Sequence, residues 1–267
     1  MKKLKRILRP VGIALAVIGV IVALGFVERT ADRTPISDLE VIVESGEGLH
    51  FIDERSVRQE VLDQGTAVMG SATGDVDITT IEERLKSIPS VAKAQVYHTM
   101  DGRLHARVEQ RVPIVRVFDR NGDSFYIDRE GWTMPTSPDY TARVLVVTGV
   151  SDGTVTADGV QNVYVMGDRV PGTHLDDIHR LAAYITVDPF WNALIDQVVV
   201  TAEGDFELVP RIGGQRILLG DGTELAQRFE KLRIFYEQGI PQAGWRNYAR
   251  IDLRYADQVV CTKRTTP

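Results

Sequence analysis

The chain has 267 residues, of which 43% are hydrophobic, and this is enough for about two compact domains beside a membrane segment. Its formal net charge of −6 and its isoelectric point of 5.5 exclude general nucleic-acid binding, which needs a basic surface. Cys261 is the single cysteine, so the sequence also excludes an intramolecular disulfide and a cysteine-built zinc site.

The amino-terminal segment has the pattern of a membrane anchor. Basic residues at positions 2, 3, 5, 6 and 9 precede an uninterrupted apolar run over residues 11–27. With the residues back to Ile7, a helix here is long enough to cross a hydrocarbon core of about 30 Å. A cleaved signal peptide is the alternative, although its apolar region is usually shorter and ends in small residues. The basic flank predicts a cytoplasmic tail at residues 1–10, a transmembrane helix at residues 11–27, and export of everything that follows.

A polar linker at residues 28–38 precedes the first predicted domain, residues 39–110. LEVIVE alternates as a strand does, and two amphipathic helices follow, the second of which ends before Pro89. VAKAQVYH and RLHARVEQ then form a hairpin around a turn at residues 100–102. The order of elements in this domain is therefore β-α-α-β-β.

The second predicted domain, residues 111–264, is rich in strands, and residues 265–267 form a short tail. Alternating segments are separated by Gly or Asp turns. Two helices interrupt them, at residues 176–187 and 223–238, and each has one apolar face. These patterns predict an α+β fold in which a larger, mostly antiparallel β domain with flanking helices follows the first domain.

Four residues of the second domain that carry carboxylate or amide oxygens have the spacing of a calcium loop. They are Asp119, Asn121, Asp123 and Glu130. Ser124, however, stands where the sharp turn of an EF-hand needs glycine, and the flanking segments are strands. Asn121 and the glycine after it are better explained as a tight hairpin turn.

Two pairs of histidines are candidate metal ligands. His98 and His105 could face each other across the first-domain hairpin, but the register that aligns its apolar face offsets them. His174 and His179 are five residues apart and do not share a helical face, so we expect solvent-facing or capping roles. The sequence therefore predicts no metal site.

Catalytic patterns are absent from the sequence. No serine has a Gly-x-Ser-x-Gly setting, and Cys261 has no histidine nearby in sequence. We expect the Cys261 side chain to pack inward, on the face of Leu253, Tyr255 and Val259. The chain is predicted to be no enzyme and to hold no cofactor.

The order of these parts resembles the bacterial cell-division proteins of the FtsQ (DivIB) type. The resemblance is carried by IEERLKSIPSVAKAQVYHTMDGRLHARVEQRVPIVRV, which is followed by FYIDREGWTMP, and by QRILLGDGTELAQRFEKLRIFYEQG leading to ARIDLRYADQVV. It implies a POTRA-like first domain and an FtsQ-type β domain. The family's hairpin often has Trp-Pro where this chain has residues 98–101, and residues 151–174 have no counterpart in the family pattern.

The resemblance implies a non-enzymatic scaffold of the division machinery in the cytoplasmic membrane, at the septum, with membrane-anchored partners of the FtsB and FtsL type. It implies neither a nucleic-acid partner nor a small-molecule substrate. One alternative is a POTRA-bearing anchor of another envelope complex, for secretion or outer-membrane assembly. A tethered envelope hydrolase is the third hypothesis, and it lacks a convergent set of catalytic residues.

The last strand of the chain is predicted to be a sheet edge that accepts a partner strand. It pairs with RIDLRY on one side, and Lys263 and Arg264 would discourage unwanted pairing on the other. The resemblance points to Tyr255 and the strand after it, whereas an ordinary closing strand covered by its own tail is the alternative. The predicted partner-binding residues are Arg254, Tyr255, Val259, Val260, Cys261, Thr262 and Lys263.

Overall fold

The computed structural model describes residues 17–20, 33–44, 46, 48–63, 68–150, 159–167 and 174–264. The predicted cytoplasmic tail and carboxy-terminal tail lie outside the described residues, as does the predicted transmembrane helix apart from residues 17–20, which are helical. Within the described ranges, no helix is both long enough and apolar enough to cross a membrane. The chain divides into two compact units, one that ends at Gln110 and one that begins at Arg111.

The first unit has the predicted β-α-α-β-β order. Its three strands form one sheet in the order β1-β3-β2, in which β1 runs parallel and β2 antiparallel to β3. A 3₁₀ turn at Thr73–Asp75 precedes the second helix. The elements in chain order are β1 (Asp38–Glu44), α1 (Glu54–Leu62), α2 (Ile78–Ser87), β2 (Val91–His98) and β3 (Arg103–Gln110).

The core of the first unit lies between the helices and the sheet. Val57 and Val61 of α1 and Leu85 of α2 are buried in one cluster with Leu104 of β3. Helical spacing in α1 and α2 and the alternation of buried residues in β3 bring these side chains to one side of each element.

The hairpin of β2 and β3 has the predicted register. Val96 pairs with Ala106, so His98 lies opposite Leu104 and not opposite His105. The His105 ring stacks instead on Tyr97, with 4.9 Å between ring centroids. The two histidines therefore do not form a metal pair.

The second unit is built on a nine-stranded sheet with the order β12-β11-β10-β9-β8-β7-β4-β5-β6. A π-helical turn at Phe235–Gly239 joins α6 to α7. Its elements are β4 (Pro113–Asp119), β5 (Ser124–Asp128), β6 (Thr133–Pro135), β7 (Leu145–Val150), α3 (Val163–Gly167), α4 (Leu175–Val187), α5 (Pro189–Leu194), β8 (Ile195–Val200), β9 (Phe206–Pro210), β10 (Arg216–Gly220), α6 (Leu225–Ile234), α7 (Ile240–Ala243), β11 (Tyr248–Asp252) and β12 (Val260–Lys263).

This sheet is mixed: five of its eight strand pairs are antiparallel, as predicted for most of the domain, and three are parallel. The β4–β7, β7–β8 and β10–β11 pairs are parallel. Helices α4 and α5 lie between β7 and β8 in the chain, and α6 lies between β10 and β11. A helical connection returns the chain to the same end of the sheet, so that the next strand can pair in parallel.

The helices pack on one face of the large sheet. Ile178, Leu181, Ala182 and Ile185 of α4 are buried there, as predicted from their spacing. The ring of Trp191 in α5 meets Phe229 of α6 edge-on at 5.0 Å. On the other face, Arg116, Val146 and Gln197 are half-buried, whereas Tyr126 of β5 is fully buried.

The calcium-spaced residues form a hairpin turn, as predicted. The Asp119 Oδ1 atom accepts hydrogen bonds from the backbone N–H groups of Asn121 and Asp123, at 3.0 and 2.9 Å. Gly122 has φ of 91°, a left-handed conformation that glycine adopts without strain. In the part of the chain that is described, no group of three or more metal-ligating side chains comes together.

The prediction of a solvent-facing or capping His179 is wrong. Its ring is buried on α4, where Nδ1 lies 2.7 Å from the Tyr164 hydroxyl and Nε2 lies 3.1 Å from the carbonyl oxygen of Arg129. Since a carbonyl oxygen can only accept, Nε2 carries the proton and Nδ1 accepts from Tyr164 in the neutral ring. His179 follows Ile178 directly, so it falls within the same broad buried stripe of the helix.

Candidate functional site

The candidate site is the outer edge of β12. This strand pairs antiparallel with β11, and no other described strand pairs with it, so it forms one edge of the large sheet. The paired residues are Asp252 with Val260, Ile251 with Cys261, Arg250 with Thr262, and Tyr248 with Lys263.

The direction of the backbone groups along β12 follows from one hydrogen bond. The N–H of Arg264 donates to the carbonyl oxygen of Asn247 at 2.8 Å. In an antiparallel ladder, such a bond flanks a pair that makes no direct bonds, here Lys263 with Tyr248. The N–H and C=O groups of Lys263 therefore face away from β11, and by alternation those of Cys261 do so as well.

The backbone groups of Val260 and Thr262 face the opposite way, toward β11. The extra residue at Ala249 lies in β11, where the register shifts, and leaves the alternation along β12 intact. The strand thus has two residues committed to the sheet and two that present an N–H donor and a carbonyl acceptor outward.

The side chains of the strand divide between the two sheet faces. Val259 and Cys261 are partly buried and pack against the core, which fits the expected inward direction of Cys261. Burial raises the pKa of the Cys261 thiol, so the thiol stays protonated at neutral pH. Val260 and Thr262 are exposed on the other face.

The turn before β12 is held by Lys231 of α6. Its ammonium group donates to the carbonyl oxygens of Leu253 at 3.0 Å and Ala256 at 3.2 Å, and also to that of Tyr255. The Tyr255 side chain on this turn is 49% exposed. An aromatic ring held on a fixed turn can contact a partner with little loss of conformational entropy.

Arg254 is already engaged within the protein. Its guanidinium donates to the Asp252 carboxylate at 2.8 Å and lies 3.5 Å from a carboxylate oxygen of Asp205. The side-chain hydrogen bond from Arg254 lowers the pKa of Asp252 below its ordinary value, although burial acts in the opposite direction. Of the predicted partner-binding residues, Arg254 is therefore the least available as a free cation.

Positive charge lies beside the edge. Lys263 and Arg250 are both exposed, and no described carboxylate lies within salt-bridge distance of either. Arg264 donates to the carbonyl oxygen of Gly214 at 3.0 Å, which ties the end of β12 to the turn before β10. This arrangement favours an acidic partner.

The sequence correctly indicated that the last strand is a sheet edge, but it extended the preceding strand to Tyr255, whereas β11 ends at Asp252 and Tyr255 lies in the turn. It did not indicate Lys231 or Arg250. Arg250 lies opposite Thr262, so its alternation within RIDLRY could have placed it on the outer face. Lys231 is 22 residues from its first carbonyl partner, and no local pattern indicates that contact.

One edge of the small sheet, at β2, is protected in a way that the outer edge of β12 is not. The Glu82 side chain of α2 accepts a hydrogen bond from the backbone N–H of Val96 in β2 at 2.9 Å. A carboxylate thus occupies a donor that a partner strand would need. No described side chain caps the outward N–H of Cys261 or Lys263 in this manner.

Comparisons with known proteins agree with this architecture. A family model described as FtsQ/DivIB, C-terminal related, matches residues 112–262, and a model described as POTRA-like domain matches residues 36–109. The chain is 29% identical over 206 residues to the cell division protein FtsQ of Rhodothermus marinus, and the alignment covers 74% of this chain and 70% of that relative. Because the first model spans more than half of the sequence, the chain belongs to the FtsQ/DivIB family of cell-division proteins.

Proposed function

We propose that the chain is a non-enzymatic, single-pass membrane scaffold that recruits and links other division proteins at the septum. Its anchor is the apolar segment at residues 11–27, with the amino terminus in the cytoplasm and both folded units outside it. Membership of the FtsQ/DivIB family supports the division role, and the basic residues before the apolar run support the orientation.

Partner binding occurs by strand addition at β12. The observation that carries this proposal is the open edge, with the backbone groups of Cys261 and Lys263 directed away from β11. A partner strand that bonds to these groups extends the large sheet by one strand. The partners are membrane-anchored division proteins of the FtsB and FtsL type, in line with the family resemblance.

The free energy expected from the backbone hydrogen bonds alone is too small for a stable complex. Two outward residues offer four hydrogen-bonding groups, and a net gain of about 1 kcal/mol for each gives about 4 kcal/mol, which corresponds to roughly millimolar affinity. Side-chain contacts must supply the rest. Tyr255 and Val260 are exposed and adjacent to the edge, so they are the residues best placed to do so.

The second candidate function is a POTRA-bearing anchor of another envelope complex. The POTRA-like match supports it equally well, because a domain of this kind does not by itself name the machine. Crosslinking in living cells followed by purification of the chain separates the two. Division proteins as the captured partners support the scaffold, and secretion or outer-membrane components support the alternative.

A matched pair of proline substitutions tests strand addition. Lys263→Pro removes an outward N–H, so the full-length protein should keep its thermal transition and lose capture of FtsB- and FtsL-type partners. Thr262→Pro removes an N–H that bonds to β11, so it should destabilise the second unit. Equal behaviour of the two variants would contradict the assigned direction of the backbone groups.

Two further variants complete the test. Tyr255→Ala should weaken capture without a change in the thermal transition, because its side chain is exposed. Cys261→Pro should behave like Lys263→Pro, with Cys261→Ala as the control for the lost thiol packing. If every proline variant either unfolds the protein or captures partners normally, strand addition at β12 is wrong.

A further inference from the structure

A second surface of the large unit has the features of a binding site. It is a groove of about 750 Å³ between the start of β4, the segment before β7 and the start of β8. β4 is six strands away from β12 in the sheet, so the groove is separate from the partner-binding edge proposed above. We call it the arginine groove, after Arg116, Arg129, Arg143 and Arg211, which line it.

The charge in the arginine groove is unbalanced. Asp196 is the one acidic residue of the lining, and it pairs with Arg211 at 3.1 Å. Among the described residues, no carboxylate lies within salt-bridge distance of Arg116, Arg129 or Arg143. The net charge of the whole chain is −6, so the positive charge of the groove is opposite in sign to that of the protein as a whole.

The side chain of Arg116 is fixed by a hydroxyl group and by two aromatic rings. Its Nε and Nη2 atoms donate to the Ser124 hydroxyl at 3.3 and 3.0 Å, and its guanidinium lies over the rings of Phe118 and Tyr126, at 4.7 and 5.5 Å from their centroids. Contacts on two sides reduce the entropy that the side chain loses on binding. The remaining Nη1 donors make no hydrogen bond to a described residue.

The backbone of Arg129 is fixed as well. Its N–H donates to the carbonyl oxygen of Val112 at 3.0 Å, and its own carbonyl accepts from the buried His179. The hydrogen bond from His179 therefore helps to position Arg129, an exposed cation that lines the groove. The proposed function does not involve this hydrogen bond.

The remaining lining is partly apolar. Val112, Phe118, Val144 and Val146 line the groove and are half-buried, so they retain surface that a ligand can cover. Hydrated anions such as phosphate or a charged glycan would leave this surface in contact with water. A ligand that combines carboxylates with apolar side chains uses both parts of the lining.

We propose that the arginine groove binds an acidic segment of a partner protein in which carboxylate side chains alternate with apolar ones. Arg116, Arg129 and Arg143 pair with the carboxylates, and the apolar side chains cover the valines and Phe118. Guanidinium groups suit this role because they donate two parallel hydrogen bonds to one carboxylate. This interaction is additional to strand addition at β12.

A peptide titration tests the proposal. The probe is a fluorescently labelled octapeptide of alternating glutamate and leucine, added to the full-length protein in detergent at low salt. We expect saturable binding of one peptide per chain, measured by anisotropy, and weaker binding as salt rises. The charge reversals Arg129→Glu and Arg143→Glu together should weaken binding by roughly tenfold or more, because two ion pairs become repulsive.

Controls assign the binding to the groove. Arg55→Glu with Arg58→Glu makes the same change of charge on the exposed face of α1 and should leave the affinity unchanged. Lys263→Pro should also leave it unchanged, because the groove does not involve β12. A loss of peptide binding in Lys263→Pro would show that the peptide adds to the edge strand, and this would overturn the proposal.

The chemistry of the ligand is tested separately. A peptide in which serine replaces leucine should bind at least several-fold more weakly, because it cannot cover the apolar lining. Equal binding of this peptide, displacement of the probe by millimolar inorganic phosphate at constant ionic strength, or absence of any binding would each overturn the proposal. Circular dichroism melting of the reversal variant verifies that it remains folded.

Discussion

The ammonium group of Lys231 donates a hydrogen bond to the backbone carbonyl oxygen of Tyr255. The same group bonds to two further carbonyl oxygens of this turn, so one cation holds the backbone between β11 and β12. A helix of the core thereby determines the conformation of a turn that carries an exposed aromatic ring. This relationship connects the packing of α6 with the proposed partner-binding edge.

Replacing Lys231 with methionine should weaken partner capture while the protein stays folded. Methionine retains most of the side-chain packing but removes all three hydrogen bonds, and bonds from a charged donor each contribute about 1.5 to 3 kcal/mol when buried and less when half-exposed. We expect the turn to become mobile, which hydrogen exchange of the amides at residues 253–257 would detect. Capture of partners should fall by roughly tenfold, since preorganisation is lost.

Lys231→Arg is the matched control, because arginine retains the charge and the donors. It should restore most of the capture. If Lys231→Met increases amide exchange in the turn but leaves capture unchanged, Lys231 does not position the binding site. Strand addition at β12 is a separate proposal, and loss of capture in Lys263→Pro would still support it.

Local patterns were sufficient to predict the order of elements and the hairpin register in the first unit, although not the parallel pairing of β1 with β3. Alternation along β2 and β3, together with the length of the turn, determined the register that places Val96 opposite Ala106. Spacing along α4 likewise identified four of the buried side chains of that helix, but not His179. In both cases the information lies within one element or one short hairpin, where sequence separation is small.

The three parallel pairs in the large sheet were not predicted, because alternation indicates which side chains face the core but does not indicate which strand lies alongside. The β10–β11 pair illustrates this: Ile217 lies opposite Ile251, and the intervening helix is the feature that indicates parallel pairing. The five-residue spacing of His174 and His179 does not indicate burial, whereas the position of His179 next to buried Ile178 does.

Removal of the Asp128 carboxylate should destabilise the second unit strongly. Asp128 has no exposed surface and accepts from Arg111 at 2.8 Å and from the backbone N–H groups of Glu130 and Trp132 at 2.9 and 2.8 Å. Breaking a buried ion pair costs about 3 to 5 kcal/mol, so Asp128→Ala should lower the melting temperature of this unit by about 10 °C.

The control for this prediction is Asp123→Ala, which changes an exposed aspartate on the neighbouring hairpin turn. Surface substitutions of this kind usually change the free energy of unfolding by less than about 0.5 kcal/mol. Calorimetry of both variants makes the comparison. Equal melting temperatures would contradict a stabilising role of the Arg111–Asp128 pair.

The pH dependence of stability should reveal the Asp252–Arg254 interaction. The hydrogen bonds from Arg254 lower the pKa of Asp252 in the folded protein. A carboxyl group whose pKa is lowered by folding contributes stability above its unfolded pKa, which is about 3.9, and loses that contribution as the pH falls through the folded pKa. Arg254→Met should therefore be less stable than the unmodified protein at pH 7, by about 1 kcal/mol because the Arg254 side chain is nearly half-exposed.

This difference should disappear at acid pH. Urea unfolding of the two proteins at a series of pH values from 7 to about 2.5 measures it, and subtraction removes the contributions of the carboxylates that do not contact Arg254. A difference that stays constant with pH would mean that Arg254 stabilises the turn by packing and not through the Asp252 carboxylate. If the difference does disappear at acid pH, Arg254 acts within the protein and not as a contact to the partner. Any loss of partner capture in Arg254→Met should then result from loss of order in the turn. A partner with more acidic residues should not restore capture.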